Sequence, residues 1–560
     1  MLTSQVQTCV WRSMVDPAYQ CNEPVRIKDE LCVLHSGNTK DVASFVSKVE
    51  EKKRRRDFNF RGTIFPTQVS FEYTEAADFS EAIFKEKASF VKAVFKTGVT
   101  FAHAKFRSEA DFTLAVFQGD ARFDATEFES QTTFSRAKFH LEASFYETKL
   151  HDTDFRETRF SQHANFTDAT FHGVADFYFT YFGTSAEAEA TSFVRTIFSK
   201  EAYFTQTGFW QGVDFDSAKF LADARFVETA FGVPAIQPPG GDEPSASFLG
   251  SRFGAKTYFR KNECTGPLDF TSAEFDGALL VVGPFYEAHQ PDAGSSPPPA
   301  TIPTLCFENV LLAEPTNVRF ESLNLGATTF AGTNIRGSEF RDVDWPKRLL
   351  GKKLLADVPG VVPYSPVPRW KRRMASGWRS SSMFFAHSTT ADEWNRYIPR
   401  ERARRVCRDL KANLEDQRDY ADAGDFYYAE MELRREQLGR IRGCLLWLYW
   451  LVCGYGEKPL RALVTFGCVW LALSVAFGHT WFIAGENVKW RTEQVHMKRE
   501  FKPIWTEAAG HSIRSLTLQQ NSGYLKPYSP WAHRLTLFAN GVGPTQLGLF
   551  LLAMRRRFRR

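Results

Sequence analysis

Three thiols and one imidazole stand near the start of this chain: Cys9, Cys21, Cys32 and His35. Cys32 and His35 share the Cys-x-x-His spacing of a tight ligand pair, and Cys9 and Cys21 would complete a tetrahedral zinc site. The chemistry expected of such a set is structural. The opening segment, roughly 60 residues with little apolar periodicity, would gain folding energy from a metal that it cannot draw from a core. The same residues also read as three cytosolic thiols beside a surface histidine, and spacing alone leaves both readings open. Elsewhere the sequence carries no His-Glu-x-x-His, no Gly-x-Ser-x-Gly and no dinucleotide fingerprint after a strand. The nearest phosphate-loop lookalike is Gly250-Ser251-Arg252-Phe253-Gly254-Ala255-Lys256-Thr257, whose glycine spacing is wrong for a Walker loop. His103, His140 and His163 fall at positions expected to face solvent. The expectation is a chain without catalytic activity.

The elements that must position the cluster begin just after it. From Phe79 to Phe182 a large apolar residue, nearly always Phe, recurs at steps of five and six: Phe79, Phe84, Phe90, Phe95, Phe101, Phe106 and onward. A small residue precedes many of them by two places, as at Ala77, Ala82, Ala88 and Ala93. On an α-helix these steps turn roughly 140° and 240°, so successive Phe would diverge. On a flat strand a five-residue step sends them to opposite faces. A chain that turns a corner about every five residues escapes both problems, because each short side then points one Phe and one small residue inward.

Units such as Ala110-Asp111-Phe112-Thr113-Leu114 and Ala164-Asn165-Phe166-Thr167-Asp168 resemble the A(D/N)LXX unit of pentapeptide-repeat proteins, with Phe in the central place. The resemblance implies a right-handed quadrilateral β-helix with four units per coil. The sixth residue of alternate units is expected as a one-residue bulge at a corner. The solenoid is expected over 58–345, with Pro/Gly-rich inserts at 232–247 and 283–304, Cys264 in a central place, and a last block from Phe320 to Trp345. About 40 units give roughly ten coils and a rod on the order of 50 Å. Residues 1–57 would cap one end, carrying the Cys/His set, and the segment after Trp345 the other, since open strand edges invite aggregation.

At 560 residues and 63.8 kDa the chain should hold more than one domain, and its net charge of +5 is unevenly spread. The repeats from Phe60 to Phe231 sum to about −8, whereas Lys347 to Arg405 sums to about +10. Nine cysteines in no dense framework, and no apolar core in residues 1–20, indicate a reducing compartment for the soluble part. Residues 346–391 read as a basic linker, and the stretch Lys347 to Arg405 either lies on anionic headgroups or is simply solvated.

Residues 392–442 read as a cytoplasmic helical hairpin, with Val406, Leu410 and Leu414 four apart and a break expected at Ala423-Gly424-Asp425. In 443–560, Leu463 to Ala484 is long and apolar enough to span a bilayer, and Leu535 to Met554 is a second candidate interrupted by Gly541, Gly543 and Pro544. Cys444 to Cys453 is too short to span and rich in Trp and Tyr, as an interfacial helix would be. Arg434, Arg435, Arg440 and Arg442 before the first span, and Arg555 to Arg560 after the second, place both termini and the repeats on the cytoplasmic side of the inner membrane.

The stretch Asp422 to Arg435, with Gly454-Tyr455-Gly456-Glu457-Lys458-Pro459 and Gly543-Pro544-Thr545-Gln546-Leu547, resembles bacterial pentapeptide-repeat proteins that end in a two-span, ion-channel-like domain. Between the spans, Ser515-Leu516-Thr517-Leu518 and Asn521-Ser522-Gly523-Tyr524-Leu525 lack the second glycine and the acid of a potassium filter. The functional expectation is a membrane-anchored, non-catalytic scaffold that presents a rigid face to a protein partner, with the membrane region as the surface through which copies would associate. The alternatives are a channel-like protein with a degenerate pore and a DNA mimic that occupies gyrase. The weak negative charge of the rod disfavours nucleic-acid mimicry.

Overall fold

The computed structural model describes residues 8–21, 23–25, 30–37, 42–74, 76–232, 246–264, 266–283, 305–326, 328–345, 400–484, 502–519 and 525–558. The expected basic linker at 346–391, most of both inserts, and 520–524 of the inter-span segment lie outside them. The chain forms two compact units, Met1–Val406 and Cys407–Arg560.

In the first unit the strands are mostly two residues long, and as far as the second insert each pairs in parallel with the strand four places later. Phe58–Asn59 pairs with Ala77–Asp78, which pairs in turn with Val99–Thr100. Four sheets of 11, 11, 12 and 9 strands result, one per side of the coil. This is the quadrilateral β-helix that the five-and-six spacing requires.

The two step lengths correspond to two kinds of corner. After Phe79 the Ala82 N–H donates to the Phe79 carbonyl at 3.1 Å, and Glu81 between them has φ 60°. Lys92, His103, Leu114, Ala125 and Arg136 repeat that conformation. A positive φ at the third residue is what a tight four-residue turn of type II demands. The six-residue steps put their extra residue at the other two corners, as at Lys85-Glu86-Lys87.

Inside, equivalent rings of successive coils stack face to face. Phe84 and Phe106 lie 4.4 Å apart at 4°, and Phe90 and Phe112 lie 4.7 Å apart at 3°. Rings of different columns meet edge to face, as do Phe90 and Phe101 at 5.4 Å and 84°. The edge-to-face contacts suit the ring quadrupole, and each buried ring contributes roughly 1.5–3 kcal/mol before chain entropy. Leu150 and Cys264 take their expected inward places. Burial pushes the Cys264 thiol far up, so it behaves as a small apolar filler.

Where some units carry Thr in place of the small Ala, the hydroxyl is buried and donates to a Phe carbonyl one coil earlier. Thr126 bonds Phe101, Thr148 bonds Phe123 and Thr158 bonds Phe134, each at 2.7 Å. Outward residues form their own ladders: Glu127 pairs with Lys105 at 2.8 Å and Lys149 at 2.9 Å. The hydrogen bonds from Lys105 and Lys149 hold its carboxyl below the usual range.

One boundary differs from expectation: the first insert ends at the strand Ala246–Ser247, inside its expected bounds. Beyond the second insert the frame runs from Leu305–Cys306, with Phe307 and Leu312 in inward places two sides ahead of the block that begins at Phe320. Leu312 there fills a place that most coils give to Phe.

The second unit contains most of a helical hairpin. Helix α2 (Arg400–Asp416) crosses the unit boundary, and α3 (Tyr420–Arg442) follows, α1 being the cap helix Val42–Arg54. The break falls at Gln417–Asp419 and not at Ala423–Asp425. Arg418 takes φ 64°, and the Asp419 carboxylate accepts from the Ala421 and Asp422 N–H groups at 3.2 Å. An N-terminal cap of this kind outweighs one interior glycine.

Then come α4 (Cys444–Cys453), α5 (Pro459–Gly478), α6 (Trp505–Leu516) and α7 (Pro530–Phe558). Pro459–Gly478 and Pro530–Arg555 are long and apolar enough to cross a membrane. The first span begins earlier than expected and stops at Gly478, because Phe482–Ala484 leaves as a strand to pair with Leu525–Pro527. The second is unbroken: α7 runs through Gly541, Gly543 and Pro544, and the Thr545 hydroxyl donates to the Gly541 carbonyl at 2.8 Å.

Helix α6 packs against both. Leu473 and Phe477 of α5, Ala508 and Leu516 of α6, and Ala532 and Ala539 of α7 share one core. The Trp470 indole donates to the Ala509 carbonyl at 3.1 Å.

Candidate metal centre

The cap that precedes the coils is a short antiparallel excursion followed by α1. Thr8 pairs with Pro24 and Arg12 with Gln20. The Cys9 N–H donates to the Glu23 carbonyl at 3.0 Å, and the Cys21 N–H to the Trp11 carbonyl at 3.1 Å. These bonds bring Cys9 and Cys21 side by side. A turn at Cys32-Val33-Leu34-His35, closed by the His35 N–H on the Cys32 carbonyl at 3.1 Å, delivers the other two.

The ligand atoms of Cys9, Cys21, Cys32 and His35 lie within 4.8 Å of one another, and all four residues are buried. His35 is therefore not a surface histidine. The Cys21 and Cys32 sulfurs are 3.9 Å apart, and His35 Nδ1 is 3.6 Å from Cys9 Sγ and 3.2 Å from Cys32 Sγ. A tetrahedral zinc site implies edges of about 3.8 Å between sulfurs and about 3.5 Å from sulfur to nitrogen. The arrangement fits that ion.

Its surroundings fit as well. His35 Nε2 lies 3.0 Å from the Arg61 carbonyl, which fixes the ring with Nδ1 toward the sulfurs. Trp11 stacks on the imidazole at 4.4 Å and 2°. Its indole fills the space over Gly62 (φ 64°), where a Cβ would overlap the ring. The Cys32 thiol is pushed up to about 12, first by its hydrogen bond with Cys21 and then by burial, and burial raises Cys9 too. Three thiols around one point cannot all ionise without a cation among them.

The cluster sits where the cap joins the first coil. The Ile64 N–H donates to the Leu34 carbonyl at 2.8 Å, extending the first sheet edge into the cap. Arg61 bridges Asp78 of the next coil at 2.8 Å and Asp16 of the cap at 3.3 Å, and Glu81 accepts from Ser13 and from the Met14 N–H. From α1, Phe45 meets Phe65 edge on at 5.6 Å, and Lys53 Nζ reaches the Ser70 carbonyl at 2.8 Å. A helix here was not signalled by apolar spacing, since Phe45, Val49 and the stem of Lys52 make only a narrow buried stripe.

The other sequence candidates do not assemble into a site. Phe253 of the phosphate-loop lookalike is a buried member of the ring column. His103 occupies a tight corner at φ 58°, and His163 Nδ1 contacts the Ala190 carbonyl at 3.0 Å.

Four-sided coils, inward Phe and αL corners define a class of protein, and a family comparison agrees with the geometry. Residues 101–149 and 134–180 match the model for pentapeptide repeats, in 9 copies. Residues 101–180 are thus pentapeptide repeats, and the coils stacked on them continue the same β-helix. No curated protein and no solved structure matches the chain significantly.

Proposed function

We propose that this chain is a non-catalytic interaction scaffold, anchored in the cytoplasmic membrane, whose solenoid presents a rigid face to a protein partner. One observation carries the reading: a single chain joins a closed ring-stacked solenoid to two helices long and apolar enough to span a bilayer. The solenoid spends its large apolar residues on its own column and leaves its flat sides for recognition. Such a rod binds without the ordering cost that a flexible surface pays. The basic residues Arg434 and Arg435 before the first span and Arg555 at the end of the second support a cytoplasmic solenoid.

In this reading zinc, held by Cys9, Cys21, Cys32 and His35, staples the cap to the first coil and covers its strand edge. The metal supplies binding energy that a small cap lacks. Metal analysis of the purified full chain tests it: one zinc per chain is expected, and none would end the proposal. The scaffold reading is tested by alkaline carbonate extraction and by crosslinking in intact cells. Release from membranes removes the anchor, and failure to capture a defined protein on the solenoid removes the scaffold.

One observation favours a second, channel-like reading: α6, from the segment that links the two spans, packs on both. Reconstitution into a planar bilayer decides it, and the absence of current under any ion gradient leaves the anchor reading alone.

A further inference from the structure

The elbow that joins the cytoplasmic hairpin to the first span has a composition that the anchor itself does not require. Helix α4 is ten residues, about 15 Å, too short to cross a hydrocarbon core. One face of it is half-buried: Leu446, Tyr449 and Trp450 pack on Tyr428, Met431 and Tyr455. The Trp450 indole donates to the Tyr428 hydroxyl at 2.8 Å. Tyr455 is fully buried at φ 60°, between Gly454 and Gly456, both also at positive φ, so the chain reverses sharply around it.

The opposite face is apolar and open. Leu445 is 76% exposed, and Trp447, Leu448 and Leu451 are exposed beside it. The outward residues of the first turns of α5 are Leu460, 71% exposed, with Leu463 and Val464.

Cations from three successive pieces of chain converge on the aromatic plate between these faces. The guanidinium groups of Arg435 (α3) and Arg461 (α5) lie 4.9 and 4.3 Å from the Trp450 ring, and Lys458 Nζ is 5.6 Å from the Tyr428 ring. Arg435 has Glu432 at 3.6 Å, whereas neither Arg461 nor Lys458 has a carboxylate partner among the described residues. Arg461 Nε is held by the Leu451 carbonyl at 3.1 Å, which fixes the rest of its fork. Stacked, half-buried cations with donors to spare suit a phosphate.

We propose that this elbow is a binding site for the headgroup of an anionic phospholipid: Arg435, Lys458 and Arg461 take the phosphate while the open face of α4 lies among the acyl chains. The inference rests on the membrane anchoring proposed above. An apolar face and a cationic cluster side by side match a molecule with those two layers in that order.

The test uses the full chain, first checked by alkaline carbonate and then equilibrated with an equimolar mixture of phosphatidylglycerol and phosphatidylcholine. Native mass spectrometry reads the ratio of lipids retained. Wild type should favour phosphatidylglycerol. Arg461→Gln and Lys458→Gln should each lower the ratio about fivefold, the ~1 kcal/mol of one basic residue near an anionic surface. Arg461→Lys keeps the charge and should retain most of the preference, which separates charge loss from misfolding. A carbonate-resistant chain that retains both lipids equally, or a ratio unmoved by either glutamine, overturns the elbow while leaving the anchor intact. Release by carbonate overturns both. A change in oligomeric state on Leu448→Gln with an unaltered lipid ratio assigns the open face to a second copy of the chain, and also overturns the proposal.

Discussion

Phe155 sits fully buried at the middle of the solenoid, stacked between Phe134 and Phe177 at 5.0 Å on either side. It meets Phe145 and Phe166 edge on at 5.7 Å and Phe160 at 6.2 Å. Phe155→Ala removes the ring from all five neighbours at once. The coils above and below cannot close the gap, because their spacing is set by backbone ladders: the Phe134 N–H to the Asp154 carbonyl at 2.7 Å, and the Phe155 N–H to the Asp176 carbonyl at 2.8 Å. The full cost of a large-to-small change with a residual cavity therefore applies, about 3–5 kcal/mol. Expressed through the cooperative opening of the flanking coils, that is roughly two to four orders of magnitude in the open population. Hydrogen exchange with mass spectrometry on the full chain should show amides of residues 143–182 exchanging faster by that factor. Phe155→Leu should cost far less, because Leu150 already fills an equivalent place without disturbing the register. If Phe155→Ala exchanges like wild type, the ring column does not hold these coils together and the physical account of the fold is wrong.

Other outcomes follow from the same geometry. Thr158→Val keeps shape but deletes the bond to the Phe134 carbonyl, leaving a buried acceptor, and should raise exchange of that coil by the equivalent of about 1–2 kcal/mol. In α7 the substitution Gly543→Ala would drive a Cβ into the Leu516 carbonyl, whereas Gly548 has open space around it. Thermal melting in detergent should thus fall for Gly543→Ala, by overpacking of about 1–3 kcal/mol, while Gly548→Ala is neutral or stabilising. Cys32→Ser should abolish zinc retention and speed exchange in α1 and at Ile64. Equal protection in the variant and the wild type would refute the staple. The Glu127 carboxyl is depressed by Lys105 and Lys149, so its contribution is present above the unfolded carboxylate pKa of about 4.3 and fades as pH falls through the lower folded value. Glu127→Gln should cost no more than about 1 kcal/mol at pH 7, with the difference from wild type vanishing once the pH is below that lowered value.

The solenoid was legible because its signal is local and repeated. Each five- or six-residue step states again which residue must face inward, and errors at single units such as Leu150 or Cys264 are absorbed by their neighbours. Helix ends were harder: the hairpin turn at Gln417–Asp419 depends on an Asp cap and one αL residue, signals that compete with an equally plain glycine a few positions on. The first span was drawn too far because Phe482–Ala484 is as apolar as the helix it follows, and only its strand partner at Leu525–Pro527 removes it.

Sequence by itself determined the four-sided tower, the apolar character of the last hundred or so residues, and which thiols and imidazole were available as ligands. It could not place the sulfurs of Cys9 and Cys32 around one point or turn His35 inward under Trp11. Nor could it press Leu516 against Gly543 or gather Arg435, Lys458 and Arg461 onto one aromatic plate. The physical reason is range. Inward and outward alternation is decided within a few residues by backbone geometry, whereas these contacts join segments whose separation along the chain carries no period and exist only once the intervening backbone has folded.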